Sequence, residues 1–217
     1  MLKGPLPRVY PILDTESLQR RGISLETAAD ALLKGGAGIL QIRHKAHWSR
    51  EIFTAAQQVA RLCRECGAPL IVNDRADFAL LLEAGLHVGQ DDLPPRDARK
   101  LLASGAILGF SSHNTAQLAA AGGEPVDYVA IGPVFATVSK RNPDPVVGLE
   151  EIRRCRGLVE KPLVAIGGIG LENARDVWAA GADSVAIIAA VLPELATARS
   201  LRQRMEEWRV LATSFCP

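Results

Sequence analysis

Acidic and amide side chains follow two short apolar runs of the sequence. The run "LIV" leads into Asn73 and Asp74, and the run "LHVG" leads into Gln90, Asp91 and Asp92. If these runs are neighbouring strands, Asp74 and Asp92 repel each other across a shared opening. A divalent cation relieves that repulsion, and hard oxygen ligands favour Mg²⁺. The sequence therefore predicts a magnesium site formed by Asp74 and Asp92.

Basic side chains follow another apolar run and also occur in a long polar segment. Gln41, Arg43 and Lys45 lie in "GILQIRHK", and Lys140 lies in "FATVSKRNPDPVVG". Guanidinium and ammonium groups bind phosphate and diphosphate through charge-assisted hydrogen bonds. Ser111 ends a further run, "ILGFSS", with a polar side chain. These residues predict a site for a highly charged anion opposite the metal.

Eight apolar, β-rich runs must position these side chains, and they alternate with segments of helical periodicity. The runs cover residues 8–14, 38–43, 69–74, 86–90, 107–112, 127–134, 162–168 and 184–192. Apolar strands that alternate with helices predict a parallel sheet covered by helices. Eight such units predict a single (β/α)₈ TIM barrel over residues 1–217, whose active site lies at the carboxyl ends of the strands. An open doubly wound sheet is the alternative, but no Gly-x-Gly-x-x-Gly turn follows the first run.

Small residues end the last two predicted strands. Gly167 and Gly168 lie in "AIGGIG", and the eighth run contains "IIAA". Glycine lets backbone N–H groups approach an anion closely, and this part of a barrel commonly binds phosphate. A plain turn is the alternative. The favoured interpretation is a second anion site, and hence two phosphorylated ligands.

The composition predicts one globular domain, and the N-terminal sequence predicts a cytoplasmic protein. The chain has 217 residues, 48% of them hydrophobic, and a formal net charge of +1, so no global field attracts nucleic acid or an acidic membrane. Prolines interrupt the N-terminal apolar residues, which argues against a signal peptide, and no apolar run is long enough to cross a membrane. Cys63 and Cys66 form a C-x-x-C pair inside a predicted amphipathic helix, so helix packing is favoured over redox chemistry or zinc binding. The sequence specifies no oligomeric state.

Each candidate residue also has an ordinary structural interpretation. Arg43 could form a salt bridge with Asp74, and the Asp91–Asp92 pair could cap the following helix. Lys140 could be a solvated loop residue or a Schiff-base nucleophile, although a long loop lacks the desolvated position that such chemistry prefers. His87 lies inside the fourth run and is predicted to be a packed imidazole rather than a base. The grouping of these residues on one face favours a functional site.

Seven ordered stretches resemble the thiamine phosphate synthase (thiamin-phosphate pyrophosphorylase) family and together span nearly the whole chain. They are "QIRHK", "VNDRADFA", "GLHVGQDDLP", "GFSSH", "VAIGPVFATVSK", "AIGGI" and "GADSVAII". The family joins 4-amino-5-hydroxymethyl-2-methylpyrimidine diphosphate to 4-methyl-5-(2-phosphoethyl)thiazole in its carboxylated form. Its products are thiamine phosphate and pyrophosphate, and it uses Mg²⁺. The resemblance implies that this chain is a transferase of thiamine biosynthesis.

The resemblance also implies a role for each residue that matches the family pattern. The pyrimidine diphosphate would be held by Gln41, Arg43, Lys45, Asn73 and Lys140. Ser111 would approach the pyrophosphate or the pyrimidine, and the implied catalytic residues are Lys140, Arg43 and Ser111. The thiazole phosphate would be surrounded by Thr137, Ser139, Gly168, Ile188 and Ala189. Asp74 and Asp92 would bind Mg²⁺.

Two positions depart from the family pattern. The family commonly has Thr-x-Thr-Lys where this chain has Thr137, Val138, Ser139 and Lys140, so the hydroxyl is preserved. The family often has Ser where this chain has Ala189, so a backbone N–H must replace a hydroxyl contact.

The implied chemistry is a dissociative substitution, in which pyrophosphate leaves and the thiazole nitrogen captures a pyrimidine methyl cation. The segment "FATVSKRNPDPVVG" is expected to close over the bound substrates and exclude water.

Two other functions are compatible with a barrel of this kind. A thiazole tautomerase of the same fold would handle only the thiazole half, with His113 as a proton shuttle, and its members tend to lack the diphosphate and metal ligands. A non-catalytic sensor of phosphorylated ligands would need a partner surface or an appended domain. The synthase is favoured because the chain retains Asp74, Asp92, Lys45 and Lys140.

Overall fold

Eight parallel strands form a closed barrel, and each strand pairs with the next one in the sequence. The computed structural model describes residues 4–137 and 145–215. The strands are β1 (Val9–Asp14), β2 (Leu40–Arg43), β3 (Leu70–Asn73), β4 (Gly85–Val88), β5 (Leu108–Ser112), β6 (Tyr128–Ile131), β7 (Leu163–Ile166) and β8 (Ser184–Ile187). Pairing of Val9 with Val185 joins β8 to β1 and closes the sheet. The predicted TIM barrel is confirmed.

Helices connect the strands and cover the outside of the barrel. They are α1 (Thr15–Arg20), α2 (Leu25–Lys34), α3 (Arg50–Cys66), α4 (Ala76–Leu81), α5 (Pro95–Leu101), α6 (Thr115–Gly122), α7 (Gly148–Arg156), α8 (Ala174–Ala179) and α9 (Ala198–Thr213), with a 3₁₀ helix at Ala189–Val191. Ser24, Ser49 and Thr197 cap α2, α3 and α9 by accepting a hydrogen bond from a first-turn backbone N–H. Among the described residues, no helix is long and apolar enough to cross a membrane.

The C-x-x-C pair lies on α3, where the apolar spacing produces an amphipathic helix. Ala56, Val59 and Cys63 form its buried face. Gly67 ends the helix in the left-handed conformation, with a φ of 68°. Burial raises the pKa of Cys63 to about 12, and Cys66 is exposed. This arrangement agrees with the predicted packing role.

Alternating strand residues divide the core into two layers. Side chains that point outward, such as Leu40, Ile42 and Val72, pack against the helices. The inner layer contains Leu6, Tyr10, Ile12, Ile39, Ile71, Ile107, Tyr128, Ala130, Val164 and Ala186. Towards the carboxyl ends of β2 to β5 the inward positions become polar, at Gln41, Asn73, His87 and Ser111. The barrel interior is therefore apolar below and polar at its mouth.

The largest differences between the predicted and observed strand ends are in β6 and β8. β6 ends at Ile131, before the cis peptide bond between Gly132 and Pro133, and proline has no N–H to donate to a neighbouring strand. β8 ends at Ile187, and the 3₁₀ helix replaces the predicted continuation to residue 192. An apolar run does not distinguish a strand from a short buried helical turn, so the sequence pattern overextends both strands.

Gly109 in β5 makes room for the ring of Tyr128, because a Cβ at this position would overlap the ring atoms. We expect Gly109→Ala to lower the free energy of unfolding by about 1–3 kcal/mol, which is the usual cost of overpacking a core. Urea denaturation followed by circular dichroism measures this change.

Gly157→Ala is the matched control for Gly109→Ala. Gly157 follows α7 with a φ of −72°, and a Cβ there would meet Arg154 O at an ordinary 3.5 Å. This variant is expected to be neutral or slightly more stable, because alanine reduces the entropy of the unfolded chain. An equal loss of stability in both variants would contradict the packing role of Gly109.

Candidate active site

The carboxyl ends of the strands surround a cavity of about 510 Å³. Inward-facing strand side chains form its floor, and the loops after β5 to β8 form much of its wall. The polar and charged strand residues in its lining include Tyr10, Gln41, Arg43, Asn73, His87, Ser111 and Tyr128. Beyond β6, the predicted residues Thr137, Gly168, Ile188 and Ala189 line the same cavity. The fold therefore brings most of the predicted site residues to one place.

A hydrogen-bonded chain of side chains crosses the floor of the cavity. Gln41 Nε2 donates to Tyr10 Oη at 3.0 Å, and Tyr10 Oη lies 3.0 Å from Tyr128 Oη. His87 Nδ1 lies 2.8 Å from Tyr128 Oη, and His87 Nε2 lies 2.7 Å from Ser111 Oγ. Burial raises the pKa of both tyrosines, so both stay protonated. These hydrogen bonds hold the side chains of Gln41 and Ser111 from below. His87 is the packed imidazole that the sequence predicts.

Asp74 and Asp92 lie side by side after β3 and β4. Asp74 has a φ of 65°, which is uncommon for a residue other than glycine, and its N–H donates to His87 O at 2.8 Å. Asp92 accepts a hydrogen bond of 2.7 Å from Gly89 N. Burial raises the pKa of Asp74; the ammonium group of Lys45, which donates to its carboxylate, opposes this rise, and the Asp92 carboxyl reinforces it. The two acidic groups therefore interact directly, as the magnesium hypothesis requires.

This acidic pair fits Mg²⁺ better than a softer metal. Both donors are carboxylates, and Mg²⁺ is commonly held by one or two carboxylates together with water and substrate phosphate. The described ranges contain no group of three or more His, Cys, Asp or Glu residues that could hold a metal, and a structural zinc site would need four such ligands. The remaining coordination positions would therefore be open to water and phosphate.

Two of the structural alternatives are wrong. Arg43 does not pair with Asp74, because its Nη1 donates to Asp14 Oδ1 at 2.6 Å. Asp92 does not cap the next helix, because α5 begins after Pro94 with no side-chain cap and the Asp92 carboxylate binds Gly89 N instead. Both acidic residues thus remain available for the predicted site.

Asp14 ends β1 at the rim of the barrel and holds Arg43 in place. Its Oδ1 accepts from Arg43, and its Oδ2 accepts from Ser17 N at 3.0 Å and Ser17 Oγ at 2.6 Å. The Asp14 side chain is only 4% exposed. Three charge-assisted hydrogen bonds therefore offset the cost of burying this carboxylate and orient the guanidinium at the cavity wall.

The glycines of the predicted second anion site, Gly167 and Gly168, follow β7. Gly167 and Gly168 have φ values of 103° and 65°, which favour glycine. A Cβ on Gly168 would lie 2.5 Å from Ala136 O, and Phe135 N donates to Gly167 O at 3.0 Å. The two glycines are therefore needed for close packing of the loops after β6 and β7, and the same backbone lines the cavity.

Some predicted residues lie beside the cavity or cannot be placed. Lys45, Asp74 and Asp92 do not contribute to its lining. They lie in the loops after β2, β3 and β4, and strand residues of those three strands, namely Arg43, Asn73 and His87, do line it. Ser139 and Lys140 fall in 138–144, outside the described residues, together with half of the segment that is expected to close over the substrates.

The residues at the site that were not identified from the sequence include Tyr10, Asp14, Tyr128 and Arg204. Asp14 ends its strand with a carboxylate just as Asn73 and Asp74 end theirs, so the same signal was present there. Tyr10 and Tyr128 look like ordinary β-strand aromatics. Arg204 lies on α9 and lines the cavity, and no local pattern distinguishes it from the other basic residues of that helix.

Both the sequence and the barrel match known proteins. A family model described as thiamine monophosphate synthase matches residues 9–191. The thiamine-phosphate synthase of Koribacter versatilis is 48% identical over 190 residues, covering 86% of this chain and 90% of that protein. The thiamine-phosphate synthase of Chloroflexus aurantiacus is 41% identical over 199 residues, covering 90% of this chain and 91% of that protein. A solved thiamine phosphate pyrophosphorylase from Pyrococcus furiosus superposes with a TM-score of 0.82 and 32% identity, covering 95% of this chain and 96% of that one.

The Asp14–Arg43 pair is expected to contribute measurably to the free energy of unfolding. Asp14→Asn keeps an oxygen that can cap α1 but removes the charge that Arg43 faces. We expect the free energy of unfolding to fall by about 1–3 kcal/mol, because the guanidinium loses its charged partner in a largely buried position. Urea denaturation provides the measurement.

Asp30→Asn serves as the control for Asp14→Asn. Asp30 also pairs with a cation, Lys34, at 2.7 Å, but that pair is exposed on α2. Its loss should cost less than about 0.5 kcal/mol. Similar small losses in both variants would show that the Asp14 pair contributes no more than a surface ion pair.

The raised pKa of Asp74 predicts a stability that depends on pH. A carboxyl whose pKa is higher in the folded state binds more protons there than in the unfolded chain, so the free energy of unfolding falls as pH rises through that interval. Asparagine does not titrate. In EDTA, Asp74→Asn should therefore gain stability relative to wild type as pH rises above 3.8, the ordinary pKa, and lose that advantage below it.

Asp77→Asn is a control of opposite sign. The hydrogen bonds from Arg75 lower the pKa of Asp77, so this carboxylate stabilises the fold above its ordinary pKa and loses that contribution as pH falls. Asp77→Asn should accordingly be less stable than wild type at neutral pH. Urea midpoints for the three proteins across pH test both signs, and parallel curves for Asp74→Asn and wild type would contradict the raised pKa.

Proposed function

The chain belongs to the thiamine monophosphate synthase family, and we propose that it joins 4-amino-5-hydroxymethyl-2-methylpyrimidine diphosphate to 4-methyl-5-(2-phosphoethyl)thiazole. The products are thiamine phosphate and pyrophosphate, with loss of CO₂ when the thiazole is in its carboxylated form. The activity is that of a transferase of thiamine biosynthesis, acting on small molecules.

The observation that carries this proposal is that two unlike groups of residues, each suited to an anion, lie on different sides of one cavity. On the side of β2 to β4, Arg43 lines the cavity, and Lys45 and the acidic pair stand beside it. On the side of β7 and β8, backbone at Gly168 and Ala189 lines it. A diphosphate with a metal suits the first side, and a single phosphate suits the second.

The pyrimidine fits between these two sites, against Gln41, Asn73 and Ser111. Asn73 is 7% exposed, and its Nδ2 has no hydrogen-bond partner among the residues that the structure describes. An unsatisfied buried donor costs about 1–3 kcal/mol. A ring nitrogen or diphosphate oxygen of the substrate would satisfy it, so part of the substrate's binding energy comes from this amide.

Mg²⁺ would be held by Asp74 and Asp92, and when bound it would supply positive charge to the departing pyrophosphate. Arg43 adds a fixed guanidinium on the same side, because Asp14 holds it in place. Lys140, which lies outside the described residues, is proposed to add a further cation. No protein nucleophile is needed, and the described residues contribute charge and position.

The bond changes follow from these positions. The bond between the pyrimidine methylene carbon and the diphosphate oxygen breaks, and its electron pair stays with pyrophosphate beside Arg43 and Lys45. The thiazole nitrogen then donates its lone pair to the resulting cation. Apolar side chains from β1 and β7, namely Ile12, Val164 and Ile166, line the cavity where the cation forms and limit the access of water.

The rival functions explain fewer of these features. A thiazole tautomerase has no use for the adjoining carboxyls of Asp74 and Asp92 or for the lysine that faces them. His113 lines the cavity, and its Nδ1 lies 3.1 Å from Gly132 O. This contact fits a positioned loop residue as well as a proton shuttle, so the acidic pair decides in favour of the synthase.

Pyrophosphate release with both substrates and Mg²⁺ tests the proposal. We expect release only when all three are present, and we expect Asp92→Asn to lower kcat/KM by about 10²–10³, the scale of losing one preorganised charge stabiliser. A coupled pyrophosphatase assay measures the rate. Conversion of the thiazole phosphate alone, without Mg²⁺, would support the tautomerase, and binding without turnover would support the sensor.

Asp77→Asn is the matched control in this assay. Asp77 is an exposed carboxylate of α4 close to the site in sequence, and it pairs with Arg75 at 2.5 Å. The kcat/KM of the Asp77→Asn variant should stay within about threefold of the wild-type value. An equal drop in Asp77→Asn and Asp92→Asn would mean that loss of negative charge near the cavity, and not loss of a metal ligand, lowers the activity.

A further inference from the structure

We propose that Arg204 of α9 binds the phosphate of the thiazole substrate and makes the enzyme prefer the phosphorylated thiazole to the free alcohol. This inference rests on the proposed function and adds a specificity-determining residue to it. Arg204 lies beyond residues 9–191, which the family model matches, so the match assigns no role to it.

Arg204 reaches the part of the cavity formed after β7 and β8. It lines the cavity together with Gly168 and Ala189. Its Nη1 donates to Ala190 O at 3.3 Å, and Ala190 belongs to the 3₁₀ helix that follows β8. The guanidinium is therefore attached to the backbone segment that is expected to bind phosphate.

The packing of α9 holds this guanidinium beside the 3₁₀ helix that follows β8. Leu201, Met205 and Trp208 form the buried face of the helix, and Trp208 Nε1 donates to Ala190 O at 3.3 Å. Arg204 Nε pairs with Glu207 Oε2 at 2.9 Å, and the Arg204 side chain is 35% exposed. Because Ala190 O and the Glu207 carboxylate already hold the Arg204 side chain, little of its side-chain entropy remains to be lost when a ligand binds.

The charge balance of this end of the cavity calls for a cation. Glu172 also lines it, after β7, and its carboxylate opposes the approach of an anion. Among the described lining residues, the Lys and Arg side chains are Arg43 and Arg204, and Arg43 belongs to β2, on the side of the cavity proposed for the diphosphate. Backbone N–H groups supply only partial charges. Arg204 is thus the full positive charge placed to offset Glu172 and face a phosphate.

The guanidinium also has donors to spare. It carries five N–H groups in a planar fork that matches phosphate oxygens. Within the described part of the chain, its contacts use Nε, towards Glu207, and Nη1, towards Ala190. Its Nη2 group is left to meet a ligand oxygen.

Steady-state kinetics on Arg204→Met test this role. Removing a charge-assisted contact should raise KM for the thiazole phosphate about 10- to 100-fold, with kcat and KM for the pyrimidine diphosphate within about threefold of wild type. With the unphosphorylated thiazole alcohol, kcat/KM should be unchanged, so the preference for the phosphate should shrink. Arg204→Lys should recover part of the loss.

Arg202→Met is the matched control. Arg202 lies on the same helix, is exposed and pairs with Glu206 at 2.9 Å, so its kinetics should equal those of wild type. Equal losses for the phosphate and the alcohol, or a change of less than threefold in KM for the phosphate, would overturn the role of Arg204. Calorimetric binding of the thiazole phosphate to wild type and Arg204→Met separates the two proposals, because it tests Arg204 even if wild type releases no pyrophosphate and the proposed function fails.

Discussion

Closure of the sheet is the constraint on which the whole site depends. In a closed barrel, every second residue of each strand points into one shared interior. Apolar side chains fill the lower part of that interior, and polar side chains occupy its mouth. Tyr128 links the two levels, since its ring packs over Gly109 and its hydroxyl bonds with Tyr10 and His87. The same side chains therefore fill the core and position the polar groups at the mouth of the barrel.

The charged residues at the mouth are paired in two different ways. Asp14 and Arg43 form a buried pair that is further fixed by Ser17, so the guanidinium has one orientation whether or not a ligand is bound. Lys45 contacts Asp74 from the surface, with 51% of its side chain exposed, and pairs of that kind contribute little free energy. Lys45 can therefore leave Asp74 at small cost. Under the proposed function, this difference would let Asp74 bind Lys45 in the free protein and a metal in the substrate complex.

The sequence predicted the barrel because strand and helix periodicities alternate over nearly the whole chain, and it grouped Asp74 with Asp92 because Asp74 directly follows β3 and Asp92 lies in the loop after β4. It could not predict partners that only the closed barrel brings together. Tyr10 meets Tyr128 across 118 positions, and no local pattern encodes that contact. Arg204 is one of several basic residues on α9, and only the docking of this helix on Ala190 brings it to the cavity. The ends of β6 and β8 were missed because apolar runs continue past the last ladder hydrogen bond.

Under the proposed function, the two sides of the cavity differ because the two anions behave differently during the reaction. Charge on the pyrophosphate grows as the carbon–oxygen bond breaks, whereas charge on the thiazole phosphate stays constant. Only interactions that strengthen towards the transition state accelerate a reaction, and those of constant strength affect binding alone. Full charges on Arg43, Lys45 and a metal therefore belong beside the leaving group. On the other side, backbone donors and a single guanidinium suffice, because that phosphate has only to be recognised and held while the ring nitrogen reacts.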